Sequence, residues 1–184
     1  MPLTIDDAVY VARLVVIDVI KLLPEGIMVD YPALQNPSQI FEMLTPSQFK
    51  LAFDNNVAFF QKVLKCTINV KGVDAFVSPE QDRNKRKVYI KLGADETPGV
   101  LVHEFIHWLS HPDFYPNFYE KGGTAPNIVE GVTEYFTRKY YPNRTYYNEY
   151  FVKIDAIGHM LPRIQAALFK GDAASIQAIS QAYK

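Results

Sequence analysis

Apolar positions recur at helical spacing through the first third of the chain and then give way to short alternating runs. Thr4, with Asp7 three residues on, forms a capping box that predicts a helix over 5–23, ended by Pro24 and Gly26. Asn36-Pro37 with Gln39, and Thr45-Pro46 with Gln48, repeat one grammar: a cap, proline at the first helical position and an amide at the third. They predict helices over 37–44 and 46–64, so residues 1–64 read as a helical layer with Phe49, Phe53, Phe59 and Phe60 as core. The segments Thr67–Val70, Asp74–Ser78 and Lys87–Leu92 are short and rich in β-branched or aromatic residues. Gly72 and the polar Glu80–Lys85 stretch separate them, and they read as a small sheet. Gly93 ends the last strand, and Thr97-Pro98 opens a nearly all-apolar helix that runs to Ser110. Pro112 and Pro116 mark a loop through Gly122-Gly123, after which Pro126 restarts a helix to about Tyr140. Three more helices follow: Asn143 to about His159, Pro162 to Lys170, and a last one capped by Gly171-Asp172.

Strands between helical blocks predict an α+β fold, and 184 residues suit a single domain spanning 1–184. Its parts are a helical layer (1–64), a sheet with the apolar helix (65–111) and a helical C-terminal part (112–184). With 48% apolar and 21% charged residues the chain is neither disordered nor fibrous, and a net charge of −1 offers no field to gather nucleic acid or an anionic membrane. The one basic run, Arg83, Lys85, Arg86 and Lys87, reads as a solvated turn. The lone Cys66 excludes a disulfide framework and a thiolate zinc site, and reads as core. The apolar stretch Val9–Leu23 is broken by Arg13, Asp18 and Lys21 and lacks a signal peptide's basic region and cleavage site. The expected location is cytoplasmic, or outside the cell by export without a cleavable signal.

Inside the apolar helix, His103-Glu104-Phe105-Ile106-His107 spells H-E-x-x-H. A four-residue spacing puts both imidazoles on one helix face, where they can hold one metal ion. Glu104, adjacent to the first histidine rather than a turn away, misses the metal and reaches a water beside it, as a general base must. A catalytic zinc needs a third protein ligand, and the helix beginning at Pro126 carries two carboxylates four apart, Glu130 and Glu134, among apolar residues. Buried carboxylates need a partner, and a metal or a metal-bound histidine is one.

With these residues the chain resembles the gluzincins, zinc metallopeptidases in which a glutamate on a later helix completes an H-E-x-x-H site. The resemblance spans about residues 87–140. It implies one Zn2+ per chain held by His103, His107 and Glu130, with Glu104 as general base and Glu134 hydrogen-bonding the first histidine. It also implies a zincin-like fold, a short twisted sheet packed on the motif helix, and an extended peptide bound along a strand edge within Val88–Gly93. His159 is the leading candidate to stabilise the oxyanion. Tyr140, Tyr141, Tyr146, Tyr147 and Tyr150 could also donate a phenol, and Arg138 and Arg144 are further possible donors otherwise read as solvated surface. His111, eight residues past His103, lacks the glycine turn of a three-histidine metzincin site and reads instead as a cation at a helix C-terminus. The expected activity is hydrolysis of a peptide or protein substrate, with no nucleic-acid or membrane partner. The rival expectations are a latent or non-catalytic zincin-fold binding module and a protease-type toxin or secretion effector.

Overall fold

A computed structural model of the chain describes residues 4, 6–10, 13–14, 39–64, 73–80, 82, 85–93, 98–114 and 125–183. It divides into two compact units, Met1–Trp108 and Leu109–Lys184. The expected strand Thr67–Val70, Cys66, the Asn36-Pro37 cap, most of the 5–23 helix and the side chains of Phe59 and Phe60 lie outside the described residues.

In the first unit, Thr4 donates its backbone N–H to Asp7 Oδ2 (2.8 Å) and Thr4 Oγ1 accepts from Asp7 N (3.2 Å), so the predicted capping box forms ahead of helical backbone at 6–10. The second box forms too: Thr45 N donates to Gln48 Oε1 (3.1 Å) at the start of helix α1, Pro46–Leu64. The residues just before it do not form the helix expected over 37–44. Phe41–Leu44 is strand β1, running parallel to β3, Val88–Lys91, with Phe41 opposite Val88 and Leu44 opposite Lys91. So short a segment gains little as an isolated helix, whereas pairing with β3 satisfies its backbone and buries Phe41 and Leu44. The N-terminal 64 residues are therefore not a purely helical layer.

Strand β2, Ala75–Val77, pairs antiparallel with the other side of β3, giving the order β1-β3-β2. β3 is thus the middle strand. Val88 N and Leu92 N donate to Ile40 O and Leu44 O on one side, and Lys91 N donates to Asp74 O on the other. The strand edge expected within Val88–Gly93 is taken up by the protein itself, which leaves no row of free backbone groups there for a substrate.

Alternation along the strands sorts the side chains onto two faces. One face carries Leu44 and Phe76, packed with Phe49 and Phe53 of α1; Phe76 meets Phe49 and Phe53 edge-on at 5.2 and 5.5 Å. The other carries Phe41, whose ring lies 5.9 Å from Phe105 of helix α2, Pro98–Leu109, the H-E-x-x-H helix. Arg86, expected in a solvated turn, is buried. Its Nη1 donates to Trp108 O (3.2 Å), its Nε donates to Glu80 O, and Trp108 Nε1 donates back to Arg86 O (3.1 Å). This reciprocal pair ties the residues leading into β3 to the last turn of the motif helix.

The second unit is helical: α3 (Ala125–Thr137), α4 (Asn148–Ala156), a 3-10 turn (Gly158–Met160), α5 (Leu161–Lys170) and α6 (Ala173–Ala182). The expected 143–159 helix is shorter at both ends. Tyr147 has a φ of +52°, a left-handed conformation that stops the helix from starting earlier, and the chain tightens into the 3-10 turn after Ile157. The last two helices follow expectation. Gly171 closes α5 at φ +65°, and Asp172 accepts from Ser175 N (2.8 Å) to cap α6. No described helix is long and apolar enough to cross a membrane.

Phe76 is central to the aromatic core between the sheet and α1, so Phe76→Ala is expected to destabilise the chain by about 3–5 kcal/mol. Urea unfolding followed by circular dichroism measures this, and a loss under about 1 kcal/mol would contradict that packing role.

Candidate metal centre

Every residue from Leu101 to Ser110 is buried except Glu104, which is half-buried. Leu101, Val102, Phe105, Ile106, Trp108 and Leu109 enclose the helix in hydrocarbon, so His103 (2% exposed) and His107 (5%) are removed from water along with it. Imidazoles so placed need polar partners. They face each other: the Nε2 atoms lie 3.0 Å apart and the rings cross at 82° with centroids 4.7 Å apart. Two nitrogens bound tetrahedrally at about 2.0–2.1 Å from one zinc stand about 3.3 Å apart, so this pair needs little adjustment to share an ion.

Helix α3 carries Glu130 and Glu134 one turn apart. Glu130 is half-buried. Ligand atoms of His103, His107 and Glu130 lie within 4.8 Å of one another, a group able to hold a metal ion, and its two nitrogens and one carboxylate oxygen suit zinc chemically. Beside Glu130, a methyl group on Gly131 would come within 2.8 Å of Tyr150 O and 2.9 Å of Ile154 Cγ1. The absence of a side chain at 131 is what lets α4 cross α3 so closely, and it brings Tyr150 near the metal-capable carboxylate. The Tyr150 phenol is held above the usual tyrosine range by burial first, then by its hydrogen bond with Glu149, then by the charges of Glu149 and Glu130.

Glu134 is fully buried and sits between two arginines: Arg138 Nε donates to Oε1 and Arg144 Nε to Oε2, both at 3.0 Å. The reading of these arginines as solvated surface does not hold, since their side chains are 11% and 7% exposed. The Arg138 pair has a sequence signal, a cation four residues after Glu134 on one helix. Arg144 lies beyond the end of the helix, where no local pattern announces it. The two pairs fix Glu134 in place, and the metal-capable group contains Glu130, not Glu134.

His111 is absent from that group. Its Nδ1 accepts from Asp113 N (3.2 Å), its N–H donates to Leu168 O (2.7 Å), and its ring fills the space where a Gly171 side chain would sit. His159 is exposed on the 3-10 turn. Tyr147 and Tyr150 stack on one another at 6.1 Å, and Tyr146 lies under the Arg144 guanidinium.

No family model, curated protein or solved structure matches this chain. The metal-capable group therefore has to be read from its own chemistry.

Because Glu134 balances two buried guanidiniums, Glu134→Gln should lower stability by about 3–5 kcal/mol. Denaturant midpoints for the variant and the parent decide it. A change within about 0.5 kcal/mol, the scatter of surface substitutions, would mean the pairs do not form in solution.

Proposed function

We propose that the chain is a zinc-dependent metallopeptidase of gluzincin type. The observation that carries this reading is the convergence of His103, His107 and Glu130 ligand atoms within 4.8 Å, with Glu104 beside them as the one residue from Leu101 to Ser110 that keeps contact with solvent. The peptide substrate class rests on the likeness of His103-Glu104-Phe105-Ile106-His107 and Glu130–Glu134 to the gluzincin motifs.

His103 and His107 would hold the ion through their Nε2 atoms and Glu130 through a carboxylate oxygen. A bound zinc supplies Lewis acidity, lowering the pKa of water to about 7 and polarising a carbonyl. Glu104 takes the proton released as water attacks the peptide carbon, and then passes it to the leaving amine nitrogen. Its half-exposed position suits both transfers, whereas a carboxylate as deeply buried as Glu134 would meet neither water nor amine. Glu134, pinned by Arg138 and Arg144, serves as the orienting carboxylate for the first histidine of the pair.

Purified chain is expected to carry about one zinc per molecule by elemental analysis. Glu104→Gln should keep the metal and lose about 10²–10⁴-fold in cleavage of a peptide library. A chain that takes up no metal after reconstitution overturns the reading, and a Glu104→Gln variant that still cleaves puts the base elsewhere. Glu130→Ala should abolish tight zinc binding and Glu134→Ala should weaken it about 10–100-fold; the opposite ranking would exchange their roles.

A further inference from the structure

Helix α4 meets α3 at three successive positions. Arg138 donates to Asn148 Oδ1 and Tyr146 O, both at 3.1 Å, and its guanidinium covers the Phe151 ring at 3.9 Å. Tyr135 stacks on the same ring, with 6.3 Å between centres. Gly131 meets Tyr150 and Ile154. Later residues of α3 touch earlier residues of α4, so the two helices run antiparallel, and the contacts at 131, 135 and 138 span about 10 Å of the α3 axis.

Two of these contacts can give and one cannot. Rings slide and a guanidinium re-aims through side-chain torsions, which have several staggered wells to choose from. At Gly131 the neighbour is main chain: a methyl group there would stand 2.8 Å from Tyr150 O and 3.0 Å from Tyr150 C, with Ile154 Cγ1 at 2.9 Å. The spacing of the two helices is therefore set at Gly131, and the residue bonded to it is Glu130, the member of the metal-capable group that α3 supplies. Glu130 is also the one residue from Ile128 to Glu134 that is not buried. Its carboxylate is close to α4, because the Tyr150 phenol, raised by burial first and then by Glu149, is raised by the charge of Glu130 as well.

We propose that Gly131 is a positioning residue for the metal centre: its contact with α4 fixes the α3 backbone where Glu130 can join His103 and His107 on one ion. The assignment rests on the zinc reading of that group and not on peptide cleavage. Magnitudes support it. Metal–ligand distances hold to within about 0.2 Å, whereas a methyl at 131 must move from 2.8 Å to at least the 3.4 Å at which ordinary contact with Tyr150 O begins. The backbone beside the ligand has to shift by more than the ion tolerates, and Glu130 can follow only by leaving its preferred rotamer. Linkage makes the effect reciprocal, so an ion held by Glu130 also stabilises the seating of α4 on α3.

The test compares wild type with Gly131→Ala, and with Ile154→Ala, which loosens the same crossing from the side-chain end and leaves the main-chain contact intact. Competition with a chelator should find zinc affinity at least about tenfold weaker in Gly131→Ala and within about threefold of wild type in Ile154→Ala. The visible spectrum of the Co2+-loaded protein, which reports ligand number and geometry, should change in the first variant only. Should Gly131→Ala fail to fold, hydrogen exchange of the wild type decides: zinc should slow the amides of α4 more than those of α6. Equal zinc affinity and equal cobalt spectra in Gly131→Ala and wild type overturn the assignment. So does an Ile154→Ala loss as large as that of Gly131→Ala, which would mean general loosening, and so does zinc that protects α4 no more than α6. Wild type that binds neither ion overturns the metal centre and this assignment with it. Wild type that binds zinc and cleaves no peptide counts against the peptidase reading alone.

Discussion

Two imidazole nitrogens 3.0 Å apart, on a helix otherwise sunk in hydrocarbon, are the constraint around which the rest of this protein is arranged. Burying them is costly unless something polar accepts both, and keeping them in register requires a helix that cannot shift. The sheet supplies that rigidity. Phe41 meets Phe105 on one side of the helix, and the reciprocal Arg86–Trp108 hydrogen bonds hold its final turn. The middle position of β3 follows from the same need: a strand paired on both sides is a stiffer support for the helix than an edge strand would be.

The acidic helix is organised by a comparable logic. Its two carboxylates sit one turn apart in different surroundings and so suit different tasks. Glu130 keeps partial exposure and joins the metal-capable group, while Glu134 is wholly buried and neutralised by arginines. Gly131 between them is a packing requirement rather than a flexible point, because α4 passes where its side chain would be. Glu104, a third carboxylate, is set apart by its contact with solvent. In the proposed metallopeptidase, three acids of nearly equal intrinsic pKa are thus divided among base, ligand and orienting roles by burial and partners alone.

Much of this is legible locally. The Thr45–Gln48 box, the Pro46 start, the Gly171 closure and the Asp172 cap depend on residues within about one helical turn of one another, and each appears where the sequence places it. The H-E-x-x-H spacing likewise fixes the histidine pair, since both rings belong to one helix. Phe41–Leu44 reads locally as helix because its strand partner, Val88–Lys91, lies far along the chain. Arg86 reads as surface because nothing nearby in the sequence reveals Trp108, and Arg144 because its partner Glu134 sits ten residues back, across the turns that follow α3.

The sequence by itself therefore determined the α+β class, the helix limits that rest on capping chemistry, and the presence of two imidazoles and a neighbouring carboxylate on one buried helix. Only the tertiary structure decided that Glu134 is buried between Arg138 and Arg144, that β3 has no free edge, and that Arg86 is buried against the motif helix. The physical reason is range. Caps and helical spacing are settled within a turn or two of backbone, whereas a carboxylate's task, a strand's neighbours and an arginine's burial are set by groups that only folding brings near.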